Sequence, residues 1–162
     1  MDSEIRDIHI QYEIIKNTEE KTSSDVQLMN KALAVADLAY APYSSFRVGA
    51  AVLLEDGNIV TGSNQENAAY SSGLCAERVA MFAAASQNPE KKILKIAVAA
   101  KNKNGKTTQV TPCGSCRQVL LEYEYKQNHP IQILLLGPNK SMLLFYKADA
   151  LLPLGFNKFQ LS

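Results

Sequence analysis

Hydrophobic residues follow two different periods near the start of the chain. Within residues 1–22, apolar side chains recur at every second position, which predicts a short strand or an extended arm: Ile8, Ile10, Tyr12 and Ile14. From residue 28 the apolar spacing becomes helical and persists until Pro42. This segment predicts a helix, which Ser23, Ser24 or Asp25 can cap at its N-terminus.

A hairpin is predicted next. Two runs rich in β-branched and apolar residues, Arg47 to Glu55 and Asn58 to Asn64, are joined by Asp56-Gly57. Tight hairpin turns favour this dipeptide because both of its positions can require a positive φ angle. The two runs should therefore pair as antiparallel strands.

An alanine-rich segment after Cys75 predicts a second helix, which ends near Asn88-Pro89. Its residues are apolar around most of the helix, so we expect it to be buried on nearly all sides. The small side chains would also let this helix lie close to a sheet.

The rest of the chain alternates strand and helix. Ile93 to Ala100 is a continuous apolar run suited to a central strand, and Pro112 suits the first turn of a third helix. The strands Ile131 to Leu136 and Met142 to Tyr146 are joined by a link too short for a parallel return, so they should form an antiparallel hairpin. The apolar tail Leu151 to Phe156 should fold back on the core. These elements predict an α/β domain with a sheet of about five strands covered by helices.

The composition is that of an ordinary globular domain and disfavours several classes of partner. Of the 162 residues, 46% are hydrophobic and 20% are charged, and the formal net charge is +1. So small a charge disfavours nucleic acid or an anionic membrane as a partner. The N-terminus lacks the apolar core of a signal peptide, and no apolar run approaches the roughly 20 residues of a membrane-spanning helix. We therefore expect a cytoplasmic protein.

Three cysteines form the strongest candidate site. In a reducing compartment an odd number of thiols suits metal ligation or catalysis better than disulfides. Cys113 and Cys116 share one face of the first turn of a predicted helix, and Cys75 also sits at a predicted helix start. The positive ends of the two helix dipoles would favour the thiolate form that zinc requires. The cysteines therefore predict a zinc site.

The predicted zinc site has the features of a catalytic centre. Three thiolates leave one tetrahedral position open, and neither His9 nor His129 lies in a context that would fill it. Water in that position would have a pKa of roughly 7. Glu77 would move protons beside this water, provided that the zinc lies over the end of the helix rather than along its side. Arg78 would offset the excess negative charge of the thiolates.

Each motif alone has a simpler interpretation. A Cys-x-x-Cys motif also occurs in redox pairs and structural zinc sites, and a lone buried cysteine such as Cys75 is often only a small apolar side chain. Together, however, Cys75-Ala76-Glu77 and Pro112-Cys113-Gly114-Ser115-Cys116 match the zinc deaminase signature, with cysteine in place of histidine. The combination favours the catalytic interpretation.

Four blocks of sequence between about Ser24 and Phe156 resemble the homotetrameric cytidine deaminase family. They are Tyr43 to Ala51, Asn64 to Ala68, Cys75 to Arg78 and Pro112 to Val119. The resemblance implies a three-layer cytidine deaminase-like fold, with a mixed five-stranded sheet, helices on both faces and a closing antiparallel hairpin. It also implies a deaminase domain over residues 23–162, preceded by an extension of unknown role over residues 1–22.

The resemblance further implies the hydrolysis of cytidine and 2′-deoxycytidine to uridine and 2′-deoxyuridine, with release of ammonia, in pyrimidine salvage. In such enzymes a zinc-bound hydroxide attacks C4 of cytosine. The glutamate, here Glu77, accepts the water proton, protonates N3 and assists the loss of ammonia. One Zn²⁺ ion per chain is expected, held by Cys75, Cys113 and Cys116.

Further site residues follow from the resemblance, position by position. Asn64 and Glu66 would hydrogen-bond the ribose, Phe46 would pack against the base, and the backbone of Ala76 would read the exocyclic amine or N3. Each of the three side chains has a plainer alternative. Asn64 can simply end a strand, Glu66 can be a solvated carboxylate, and Phe46 can belong to the core.

In this family neighbouring subunits complete each pocket. The resemblance therefore implies a homotetramer in which Tyr70 and Phe156 contribute across an interface, although both are equally compatible with ordinary core aromatics. Arg117 is implied to lie near the zinc thiolates, with a surface position as its alternative. Two rival functions remain. One is a deaminase of the blasticidin S type, against which the Asn64-Gln65-Glu66 block argues, and the other is a non-catalytic zinc-binding assembly module.

Overall fold

The computed structural model describes residues 3–16 and 24–161, and in them one sheet carries helices on both faces. The strands are β1 (Glu13–Ile15), β2 (Arg47–Leu54), β3 (Ile59–Ser63), β4 (Ile93–Lys101), β5 (Thr107–Thr108), β6 (Gln132–Leu136) and β7 (Met142–Phe145). The helices are α1 (Ser24–Ala36), α2 (Ala76–Gln87) and α3 (Gly114–Gln127). Within the same described ranges, none of the helices is both long enough and apolar enough to cross a membrane. Ser23, one of the expected helix caps, lies outside the described residues.

The sheet is mixed and contains seven strands, so the expected count of five is wrong. Its order is β1-β7-β6-β4-β2-β3, with β5 paired to β4. The two additional strands are short. β5 holds two residues in a polar loop without an apolar repeat. β1 lies within the segment set apart as an extension, yet its Ile14 pairs with Leu143 of β7.

Tight connections fix two of the antiparallel pairs. β2 pairs with β3 as expected, and Gly57, at φ 85°, provides the left-handed residue that the turn requires. Asp56 has no positive φ, so only one of the two turn residues adopts the left-handed conformation. β6 pairs antiparallel with β7, and a single 3₁₀ turn at Pro138–Lys140 separates the two strands.

Alternate residues of the central strands enter two separate cores. On one face, Val98 of β4 and Ile133 of β6 pack with residues of α2 and α3. On the other face, Ala97 of β4 and Leu134 of β6 pack with α1. This alternation explains why β4 and β6 read as continuous apolar runs, because both faces of each strand are covered.

Two surfaces are more exposed than the sequence pattern predicts. The expectation that α2 is buried on nearly all sides is wrong, because Phe82 on its outer side is 41% exposed. The apolar tail folds back only in part. Leu151 is buried, whereas Leu154 and Phe156 are exposed. Burial depends on what the elements pack against, and hydrophobicity alone does not define it.

A glycine on β3 allows α2 to lie close to the sheet. A Cβ atom added at Gly62 would lie 2.5 Å from the backbone nitrogen of Ala80 and 3.0 Å from the carbonyl oxygen of Ala76. Backbone atoms cannot move aside as the end of a flexible side chain can. The position of α2, and of the residues at its N-terminus, therefore depends on this glycine.

We expect Gly62→Ala to push α2 away from the sheet and to lower the free energy of unfolding by about 1–3 kcal/mol, the usual cost of overpacking. Denaturant titration would measure this loss. Thr61→Ala, at the exposed neighbouring position of β3, is the matched control. An unfolding free energy that falls no further in Gly62→Ala than in Thr61→Ala would contradict the close approach.

Candidate metal centre and adjoining cavity

The N-termini of two helices meet at the candidate metal centre. Cys75 is the N-cap of α2 and Cys113 is the N-cap of α3, both with extended backbone angles. Neither cysteine side chain accepts a capping hydrogen bond. Cys116 lies in the first turn of α3 and is fully buried. The three sulfurs are therefore gathered at the positive ends of two helix dipoles.

The spacing of the sulfurs fits a tetrahedral metal ion. Cys75 Sγ lies 3.8 Å from Cys113 Sγ, and Cys113 Sγ lies 3.5 Å from Cys116 Sγ. All three ligand atoms lie within 4.8 Å of one another. With Zn–S bonds of about 2.3 Å, two sulfurs on a tetrahedral zinc ion are about 3.8 Å apart. The donor set and its size thus suit zinc.

The surroundings of the cluster stabilise negative charge on sulfur. A hydrogen bond from Cys116, helped by Arg78, lowers the pKa of Cys75 to about 5. The same bond raises the pKa of Cys116, because the shared proton stays on that sulfur. Arg78 Nη2 lies 3.9 Å from Cys75 Sγ. The Nε atom of Arg78 is buried and has no hydrogen-bond partner in the described part of the chain, so an additional anionic neighbour would suit this side chain.

Glu77 is buried at the same end of α2. Only 4% of the residue is exposed, which is exceptional for a glutamate. Burial raises the pKa of its carboxyl group, and the negative charge of Cys75 raises it further. A carboxyl group that titrates nearer to neutral pH beside a thiolate cluster is suited to proton transfer.

A cavity of about 490 Å³ opens beside the cluster. It brings together five of the residues predicted from the sequence: Asn64, Glu66, Tyr70, Cys75 and Arg78. Cys75 is the link between the cavity and the sulfur cluster, since it belongs to both. The volume lies within the range of about 300–1,000 Å³ that is typical of small-molecule sites.

The two polar residues expected to bind the sugar are already hydrogen-bonded to backbone. Asn64 Oδ1 accepts from the N–H of Val48 at 2.7 Å, and its Nδ2 donates to the carbonyl of Phe46 at 3.0 Å. Glu66 Oε2 accepts from the N–H of Tyr43 at 2.8 Å. An amide oxygen has two lone pairs, an amide nitrogen has two hydrogens and a carboxylate has four acceptor positions, so both side chains retain capacity for a ligand.

Other predicted residues lie outside the lining of this cavity. Phe46 is 36% exposed and Phe156 is 57% exposed, so neither belongs to the core. Ala76, fully buried, is the first residue of α2, where backbone N–H groups have no acceptor within the helix.

Arg117 donates from Nε to the carbonyl of Pro112 at 2.8 Å and from Nη1 to that of Leu151 at 2.9 Å. Its hydrogen bonds thus join the start of α3 to the C-terminal tail.

Residues 22–129 match the family model described as the cytidine and deoxycytidylate deaminase zinc-binding region. The chain belongs to this family. A cytidine deaminase of Halalkalibacterium halodurans is 45% identical over 95 residues, which cover 59% of this chain and 68% of that protein. A cytidine deaminase of Mycobacterium tuberculosis is 42% identical over 113 residues, which cover 68% of this chain and 81% of that protein.

Solved structures agree with the sequence relatives. The crystal structure of cytidine deaminase from Burkholderia pseudomallei superposes with a TM-score of 0.69 at 35% identity, covering 80% of this chain and 97% of that chain. The expected α/β cytidine deaminase fold, with a mixed sheet and three helices, is therefore confirmed.

Family membership also makes the protein an enzyme rather than an assembly module. Its cysteine cluster accounts for one zinc ion per chain.

Several cavity residues were not predicted from the sequence. They are Tyr43, Ser44, Gln65, Asn67, Gly73 and Leu74. Tyr43 and Ser44 fall in the same family block as Phe46, and a serine hydroxyl can form a turn by hydrogen-bonding the backbone two residues further on. That signal predicts a local turn, but it does not reveal the distant partner of the hydroxyl.

We expect Arg78→Gln to release zinc to a chelator about tenfold faster than the unmodified protein, because the cation beside Cys75 Sγ is lost. Arg78→Lys should retain part of the effect, since it keeps the charge but loses the planar donor group. Release can be followed with a coloured zinc chelator. Arg6→Gln removes an exposed arginine paired with Glu4 and serves as the control. Equal release from Arg78→Gln and Arg6→Gln would contradict the charge-balancing role.

Proposed function

We propose that the protein hydrolyses cytidine and 2′-deoxycytidine to uridine and 2′-deoxyuridine, with release of ammonia, and so serves pyrimidine salvage. The observation that carries the proposal is the juxtaposition of three features at one end of α2. These are the three-cysteine cluster, the buried carboxyl group of Glu77, and a cavity that reaches Cys75 and is lined by Asn64 and Glu66. The family membership and the names of the relatives support the same reaction.

The metal centre would be built from three thiolates. Cys75, Cys113 and Cys116 would hold the zinc, which would supply the Lewis acidity that activates water as the nucleophile. Arg78 lies against Cys75 and reduces the excess negative charge of three thiolates around a divalent ion. We assign Arg117 a role in the same region, since it holds the Pro112 carbonyl that precedes Cys113.

Glu77 would manage the protons of the reaction. Its buried carboxyl group accepts a proton from the attacking water, delivers one to N3 of the cytosine ring, and assists the departure of ammonia. Burial supports this assignment, because a carboxyl group shielded from bulk water exchanges protons with the substrate rather than with solvent. Deamination at C4 requires both the acceptance and the donation of a proton, and a single carboxyl group can perform the two in turn.

The cavity would hold the nucleoside by its sugar and base. Asn64 and Glu66 offer their remaining hydrogen-bonding capacity to the ribose hydroxyls. Phe46 packs against the base, and the backbone of Ala76 reads N3 or the exocyclic amine. The substrate is a small nucleoside, not nucleic acid, since the cavity has the volume of a small-molecule site and the net charge is only +1.

Assembly would complete the pocket. We propose a homotetramer in which Tyr70 and Phe156, 80% and 57% exposed in the single chain, contribute to neighbouring active sites; Tyr70 also lines the cavity of its own chain. Light scattering should give about four times the mass of one chain, and a monomeric mass would contradict the composite pocket. A cytoplasmic location fits the proposal, because reducing conditions keep cysteines available for zinc.

The reaction itself can be tested with the purified, zinc-loaded protein. Incubation with cytidine or 2′-deoxycytidine should lower the absorbance of the cytosine chromophore and release one equivalent of ammonia per turnover. Zinc content without turnover of either nucleoside would overturn the proposed reaction.

We expect Glu77→Gln to lower kcat by at least about 100-fold, because the amide cannot shuttle protons. Zinc content should remain about one ion per chain, since Glu77 is not among the ligands. Glu122→Gln, an exposed position on α3, should leave both quantities unchanged. Full activity in Glu77→Gln would remove the proton-transfer assignment, whereas loss of zinc would assign Glu77 to the metal site instead.

A further inference from the structure

One hydroxyl group joins two parts of the cavity wall. Ser44 Oγ donates a hydrogen bond to Glu66 Oε1 and accepts one from the N–H of Phe46 at 2.9 Å. The backbone N–H of Ser44 also donates to Glu66 Oε2 at 3.3 Å, alongside that of Tyr43 at 2.8 Å. The carboxylate is therefore held at both of its oxygens by a loop that lies more than twenty residues away in sequence.

The loop carries a backbone conformation that needs such support. Ser45, between Ser44 and Phe46, has φ of 55°, in the left-handed region that non-glycine residues seldom adopt. Its N–H donates to the carbonyl of Ala41 at 3.1 Å. Strained residues persist where surrounding interactions fix them, and they concentrate at ligand sites. Here the fixing interactions come from the Ser44 hydroxyl and the Glu66 carboxylate.

Asn64 holds the other end of the same loop. Its side chain bonds the carbonyl of Phe46 and the N–H of Val48, so the backbone of Phe46 is tied on one side to Ser44 and on the other to Asn64. The two side chains assigned to the sugar are thus connected through the backbone of the residue assigned to the base. Ser44 is the only link between Glu66 and Phe46 that consists of a removable side chain, among the bonds of the described residues.

We propose that Ser44 is a positioning residue for substrate binding: its hydroxyl orients the Glu66 carboxylate and fixes it to the backbone of Phe46, so that the sugar and base contacts keep one geometry. The inference rests on the proposed function for the identity of the ligand. The hydrogen bonds themselves are independent of it.

The hydrogen bond from Ser44 also affects the pKa of Glu66. The hydrogen bond from Ser44 is the main reason why the pKa of Glu66 lies below its ordinary value. A carboxylate that stays ionised can only accept hydrogen bonds, and a sugar hydroxyl can donate one to it. Ser44 and Glu66 both line the cavity. Without the Ser44 hydroxyl, Glu66 Oε1 would lose this hydrogen bond beside the bound ligand.

The kinetic test compares Ser44→Ala with Ser44→Thr, which keeps the hydroxyl. We expect Ser44→Ala to raise KM for cytidine about fivefold while kcat changes by less than about twofold, because ground-state binding is weakened and the metal chemistry is untouched. Ser44→Thr should restore most of the binding. Ser86→Ala removes a surface hydroxyl that bonds only a helix carbonyl, and it should match the unmodified protein.

A second measurement does not depend on catalysis. The carboxyl resonance of Glu66, followed by ¹³C NMR against pH, should show a higher pKa in Ser44→Ala than in the unmodified protein and a return towards it in Ser44→Thr. A wild-type protein that binds zinc but deaminates neither nucleoside would overturn the proposed function, and the Glu66 titration would still decide the role of Ser44. An active protein whose KM and Glu66 titration are both unchanged in Ser44→Ala would overturn the positioning role, as would a fall in kcat with constant KM.

Discussion

The parallel pairing of β4 and β6 is the constraint on which the metal centre depends. Lys95 to Val98 of β4 lie beside Gln132 to Leu135 of β6 in parallel register. α2 leads into β4 and α3 leads into β6, and both helices pack on the same face of the sheet. Helices that precede neighbouring parallel strands run in the same direction, so their N-termini lie at the same end of the domain. Cys75 and Cys113 cap those two ends, which is how residues from distant parts of the chain come to share one site.

That convergence concentrates acidic groups in a small volume, in which Cys116 and Glu77 are buried, Cys75 is half-buried and Cys113 is exposed. Three sulfurs within 4.8 Å of one another and the nearby buried carboxyl group of Glu77 cannot all be ionised without a cation, because like charges this close repel one another strongly. Two helix dipoles and Arg78 offset only part of this charge. A zinc ion held by the cluster would therefore stabilise the two helix ends, which links metal binding to local folding. Burial raises the pKa of the Glu77 carboxyl group, and the negative charge of Cys75 adds to that effect.

The parts of the structure that follow from local chemistry could be predicted from the sequence, and those that depend on tertiary contact could not. Pro112 and the alanine-rich segment after Cys75 mark two helix starts by local preference. That the two cysteine motifs meet was inferred from their match to the deaminase signature, because the meeting itself depends on the pairing of β4 with β6. Strand β5 could not be predicted from the sequence, because its two threonines acquire strand geometry only by pairing with β4. The exposure of Phe82 and the partner of the Ser44 hydroxyl are likewise set by how distant segments meet. A matching block identifies a residue such as Asn64, but it does not show that its amide already holds the backbone of Val48.

The metal centre and the cavity beside it are held in place by different kinds of structure. The zinc residues sit at helix ends anchored to the central strands, and Gly62 fixes how closely one of those helices approaches the sheet. Asn64 and Glu66 instead hold an irregular loop that contains a left-handed Ser45, and that loop is fixed by hydrogen bonds rather than by a packed core. Hydrogen bonds to a partly exposed carboxylate contribute modestly to global stability, so changes in this loop alter the fit of the ligand more than they alter the fold. Changes in this loop would therefore alter the shape of the cavity and leave the two helix ends that hold the cysteines in place.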